Sequence, residues 1–133
     1  MVRSVATWDD VRRIALGMPG SEERTSRGMA QWRVGDRLFV WERPLRRSDL
    51  AALGAAAPQG AILGARVPHE AVKHALVAEA PDVYFTIPHF DGYPAVLVRL
   101  ERISATQLEE LVVEAWLDRA PARLAREFRE SRP

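Results

Sequence analysis

Apolar residues between Thr7 and Met18 recur three and four apart, so that Val11, Ile14, Ala15 and Met18 line one stripe of a helix. Thr7 and Asp10 have the spacing of a capping box, which satisfies the first free amides, and Gly17, Pro19 and Gly20 end the helix. The polar stretch from Ser21 to Gly28 predicts a surface loop. From Ala30 the period falls to two, with Ala30, Trp32 and Val34 on one side and Gln31 and Arg33 on the other. Gly35 and Asp36 make a tight turn, and Arg37 to Arg43 returns as a second strand carrying Leu38, Phe39, Val40 and Trp41. Pro44, which has no amide hydrogen for a ladder, stops it.

Residues 45–60 read as an insertion: a short helical turn around Ser48 to Leu53, then the loop GAAAPQG. A third strand follows from Ala61 to Val67. Pro68 fits the first turn of a helix whose inner face is Ala71, Val72, Ala75 and Leu76, and Pro81 ends it. Val83 to Ile87 and Ala95 to Glu101 are the fourth and fifth strands. In the fifth, Val96, Val98 and Leu100 share a face opposite Leu97, Arg99 and Glu101. Ser104 and Gln107 form a second capping box, opening a helix with Leu108, Leu111, Val112 and Ala115 inward, and Pro121 separates it from a terminal helix. The order α-β-β-β-α-β-β-α plus a C-terminal helix predicts an α+β fold. It is a two-layer sandwich with an antiparallel sheet of about five strands, helices on one face and the other face open.

The chain has 133 residues, enough for one domain and one core, and its 47% apolar and 28% charged residues are those of an ordinary folded protein. It contains no Cys, which excludes a disulfide framework, thiol catalysis and thiolate zinc sites. No apolar run approaches the roughly 18 residues of a membrane span, and MVRSVATWDD lacks the apolar segment of a signal peptide, so a cytoplasmic location is expected. The net charge is +1 but unevenly spread. Residues 1–50 hold ten Arg against seven acids, residues 51–118 four basic against nine acidic groups, and residues 119–133 five Arg against two acids. All but one of the nineteen basic residues are Arg, the side chain suited to bidentate phosphate contact.

No G-x-S-x-G elbow, phosphate-binding glycine loop or dinucleotide fingerprint occurs, so the sequence points to no catalytic group and no cofactor. His69 and His74, about 140° apart on their helix, are misplaced for gripping one metal. Three features could meet phosphate: Arg33, Arg37 and Arg43 of the hairpin acting as a wing, Arg46 and Arg47 after it, and Arg119, Arg123 and Arg126 along one side of a terminal helix. Phe39, Trp41 and Arg99, sharing the open sheet face with Gln31, Arg33 and Leu97, could stack on bases or form a homodimer interface. His89, Asp91 and Tyr93 within PHFDGYP could line a small-molecule pocket. The preferred reading of that stretch is a rigid turn, with Asp closing it and Gly taking a positive φ.

The segments TWDDVRRIALGMPG, QWRVGDRLFVWE, PDVYFTIPHFDGYPAVLVRL and EAWLDRAPARL together resemble the MmcQ/YjbR family of small bacterial proteins over about residues 7–125. The resemblance implies the two-layer α/β order read above. It also implies DNA binding through a double-wing arrangement, without an established reaction or target sequence. DNA contact of this kind would be weak and salt-sensitive.

Overall fold

The computed structural model describes residues 5–131; Arg3 and Arg132, part of the two positive blocks, lie outside them. Both capping boxes form. Thr7 Oγ1 accepts the Asp10 N–H at 3.3 Å to open α1 (Trp8–Leu16), and Ser104 Oγ accepts the Gln107 N–H at 3.1 Å to open α4 (Ala105–Arg119). Between them run β1 (Ser21–Ser26), β2 (Met29–Val34), β3 (Arg37–Glu42), α2 (Arg47–Leu53), β4 (Ile62–Arg66), α3 (Glu70–Glu79), β5 (Tyr84–Phe85) and β6 (Ala95–Arg99). After Pro121 comes α5 (Ala122–Glu130). The strands make one antiparallel sheet of six in the order β1-β2-β3-β4-β6-β5.

The sixth strand is β1, expected as a loop. Its sequence SEERTS has no apolar alternation because it is an edge strand, ladder-bonded to β2 on one side and solvated on the other. The β2–β3 hairpin forms as expected, with Gly35 at φ 54° and Asp36 at φ 64°, the left-handed pair a two-residue turn requires.

A β-bulge in β3 breaks its alternation. Trp32 opposes Val40 whereas Arg33 opposes Leu38, so Phe39 is the extra residue. Phe39 and Val40 therefore both enter the main core, and Leu38 and Trp41 face the opposite side. The expectation that Phe39 and Trp41 share an open face is corrected by this bulge.

The main core lies between the sheet and α1, α3, α4 and α5. Trp32, Phe39, Leu63 and Val98 from strands meet Val11, Leu108, Val112 and Trp116 from helices. The Trp116 indole N–H donates to Pro19 O at 3.0 Å, so its burial leaves no donor unpaired. Of the four tryptophans, Trp32, Trp41 and Trp116 are buried and Trp8 is half-buried.

The second face is not open. A smaller cluster of Trp41, Ile62, Ile87, Phe90, Ala95 and Leu97 lies there, flanked by Leu45 and Leu53, and covered by α2 and the 3-10 turn Pro88–Phe90. The insertion after Pro44 thus supplies part of a lid. Gly64 of β4 is indispensable beneath it: a Cβ there would stand 2.4 Å from Trp41 Cε2.

The inner face of α3 also differs from expectation. Ala71 and Ala75 are exposed, and Val72, Lys73, Leu76 and Val77 point inward. Lys73 is 1% exposed.

Candidate functional site

The lid leaves a groove of about 510 Å³ on the outer face. Its floor is Gln31 and Leu38 beside Trp41, one wall is Arg27 and Met29 at the β1–β2 turn, another is Glu42, Arg43 and Arg46, and the last is His89, Phe90 and Tyr93. The bulge in β3 positions the floor, and the end of that strand carries Arg43 toward α2.

Arg43 is 5% exposed and structural in most of its bonds. Its Nη1 donates to Pro44 O at 2.6 Å and to Asp49 Oδ2 at 3.0 Å, and its Cζ lies 5.5 Å from the centre of the Phe90 ring. Asp49 Oδ2 also accepts the Arg46 N–H at 2.8 Å. Burial pushes the Asp49 carboxyl up, but the Arg46 amide and the Arg43 guanidinium outweigh it and hold it below its ordinary 3.8. Arg43 Nη2 remains buried without a hydrogen-bond partner among the described residues. Arg43 lines the groove through its other atoms, and this nitrogen is itself enclosed.

The aromatic wall is fixed from behind by Lys73. Its ammonium donates to Phe90 O at 2.7 Å and to Tyr93 O at 2.8 Å, and lies 2.8 Å from Glu70 Oε1 as an ion pair. Three partners around one buried ammonium compensate its desolvation and tie α3 to the loop. The loop is the rigid turn expected: Asp91 N–H donates to Pro88 O and Gly92 has φ 77°. Tyr93 stacks on Phe90 at 5.8 Å between centroids, and Arg66 Nη1 donates to its hydroxyl at 2.9 Å.

The structure brings together only part of the predicted site. Arg43, Arg46, His89 and Tyr93 line the groove, with Arg33 at its edge donating to Gln31 Oε1 at 3.1 Å and to Asp36 O. Arg47 is exposed in the first turn of α2. Asp91 does not line the groove and makes no pair with His89, so the orienting arrangement considered for them is not formed. Arg37 lies elsewhere, near Arg119, whose guanidinium is pushed down by burial and by the charges of Arg66 and Arg37. Pro121 separates α4 from α5, so Arg119 does not share a helix with Arg123 and Arg126, and Arg123 is 3.4 Å from Glu127. Phe39 is 0% and Trp41 7% exposed, and Arg99 is half-buried, so the interface expected from them is not a free surface.

The hairpin is also no free wing. It is interior to the sheet, and a Cβ on Gly35 would be 3.1 Å from Pro121 Cγ. Sequence reasoning missed Arg27, Asp49, Arg66 and Lys73. For Lys73 a signal existed: it is the single lysine of the chain, and with Leu76, Val77 and Ala80 it completes a stripe at three-and-four spacing.

Among the described residues no helix is long and apolar enough to cross a membrane.

The family model described as YjbR matches residues 16–117. An uncharacterized protein of Mycobacterium tuberculosis and one of Mycobacterium bovis are each 55% identical over 127 residues, covering 93% of this chain and 96% of the relative. The crystal structure of Deinococcus radiodurans protein DR2400, which has a DUF419 domain, aligns with a TM-score of 0.63 at 19% identity over 87% of this chain and 80% of that one. The likeness to that structure is one of fold. The matched segment runs from the end of α1 through most of α4 and contains the whole sheet, and on it this chain belongs to the MmcQ/YjbR family.

Proposed function

We propose that the chain is a non-catalytic DNA-binding protein that takes a single strand in the outer-face groove. Arg27, Arg46 and Arg47 would engage phosphates, and a base would lie against His89 and Tyr93. One observation carries this reading: Arg27, Arg43 and Arg46 border the same groove as the aromatic wall of His89, Phe90 and Tyr93. Cationic side chains that track the backbone beside rings that accept bases are the shared physics of single-strand binding. Glu42 sets one negative charge against the three lining arginines, and its Oε1 is held to the wall by the Ala30 N–H. A duplex fits less well, since the β1–β2 turn beside the groove carries one arginine, and Arg24 behind it is paired with Glu22 and Asp36.

The test is a titration of tryptophan fluorescence with a short oligothymidylate and with a duplex of equal length. With about two or three phosphates contacted, the slope of log K against log salt for the strand should be about −1.5 to −2. An Arg46→Ala, Arg47→Ala pair should flatten it. No response from either ligand at low salt would remove the proposal.

A second reading rests on the volume. About 510 Å³ lies in the range of small-molecule sites, and an anion with a flat body would use the same groups. A mononucleotide that binds as tightly as the oligomer supports this second reading over the first.

A further inference from the structure

A cavity of about 540 Å³ occupies the gap between α3 and α4 on the other side of the sheet. Its walls are aliphatic: Val67, Val72 and Leu76 on one side and Leu111 on the other. Its charged groups are three carboxylates and one guanidinium, that of Arg66, whose Nη1 is already engaged with the Tyr93 hydroxyl at 2.9 Å, and Gln107 adds an amide. Glu79 comes from the end of α3, and Glu110 and Glu114 stand four apart on α4, so they are neighbours on one helix face. None of the three makes an ion pair or hydrogen bond among the described residues, and like charges at this spacing repel.

Tyr84 of β5 also lines the cavity. It is 6% exposed, yet its hydroxyl has no hydrogen-bond partner among the described residues. Burial, reinforced by Glu110 and then Glu79, pushes this phenol above its ordinary 10.0, so it keeps its proton at neutral pH and offers lone pairs to a donor. A ligand that satisfies this site must bring hydrogen-bond donors and positive charge to one end and apolar surface to the other. An anion would meet three carboxylates against the single guanidinium of Arg66. A bare metal ion is a poor occupant, because among the described residues no group of three or more metal-binding side chains converges.

We propose that the cavity between α3 and α4 binds a small organic cation, a protonated amine on an apolar body. The ammonium sits between Glu110 and Glu114, Tyr84 accepts one of its hydrogens, and the body lies against Val72, Leu76 and Leu111. The site is independent of the outer groove and uses none of its residues.

Hexylammonium is the probe, compared with hexanol and hexanoate of the same chain length, and binding is followed by amide chemical shifts of the whole protein. Hexylammonium should cause saturable shifts confined to residues 72–80 and 107–114, and hexanol and hexanoate should bind at least about tenfold more weakly. The exposed pair Glu110→Gln, Glu114→Gln should weaken the amine by about tenfold or more and leave the melting temperature nearly unchanged. Tyr84→Phe should weaken it by a smaller factor. Equal binding of hexanol, an unaffected affinity in the double variant, or no shifts in this region with hexylammonium would overturn the proposal.

Discussion

The two faces of the sheet bury aromatic rings by different means. On the inner face Trp32, Phe39 and Trp116 are enclosed by four helices, and both indole N–H groups are paired, that of Trp32 with Glu23 and that of Trp116 with Pro19 O. On the outer face Trp41 and Phe90 are covered by one short helix and a 3-10 turn, and that cover is held by charges: Arg43 against Asp49 and Lys73 against two carbonyls. Where helices are long, apolar packing suffices. Where the lid is short, buried ions define its position, and because they define it from the side, a groove stays open beside them.

The comparison breaks first on the cores. Phe39→Ala should destabilise by about 3–5 kcal/mol in urea unfolding, as a large ring lost from a fully enclosed site. Trp41→Ala should lose less, about 2–3 kcal/mol, because its surroundings open to solvent and can relax. Equal losses would show that the outer cluster is as much a core as the inner one.

The charged lid is tested by Asp49→Ala, which strands the Arg43 guanidinium and should cost about 3 kcal/mol. Since Asp49 ionises below its ordinary value in the folded chain, its contribution is complete at neutral pH and is lost as the pH falls from about 4 through the lowered folded value. Urea midpoints compared between about pH 7 and pH 3 should therefore fall less in Asp49→Asn than in the parent. An identical fall would assign the acid sensitivity to other carboxylates.

Lys73→Met keeps the apolar stem and removes the donors to Phe90 O and Tyr93 O, for a loss of about 1–3 kcal/mol in thermal unfolding. Hydrogen exchange should rise in residues 88–93 more than in β2. The smallest effect belongs to Arg46→Ala, exposed and outside the packed lid, which should change stability by less than about 0.5 kcal/mol while weakening strand binding. A large stability change there would place Arg46 in the lid rather than in the groove.

Much of the fold was legible because its signals are local. The two capping boxes, the Gly35-Asp36 turn, the stop at Pro44 and the break at Pro121 depend on residues within a few positions of one another. The edge strand was not legible, because a strand paired on one side and wet on the other needs no alternation of apolar residues. The candidate site was legible only in fragments. Arg46, His89 and Tyr93 stood out by residue type, but Lys73 owes its place to carbonyls more than fifteen residues away in the chain, those of Phe90 and Tyr93.

Local chemistry thus determined where each helix and most strands begin and end, the antiparallel two-layer plan and the family. Tertiary structure decided the rest. The bulge at Phe39 shifted the alternation by one residue and sent that ring to the other side, the insertion after Pro44 folded over the face that periodicity had left open, and arginines alike in sequence were divided among a buried pair, exposed ion pairs and a groove. The physical reason is that burial and charge pairing are properties of contacts between distant segments, and a sequence period describes only one segment at a time.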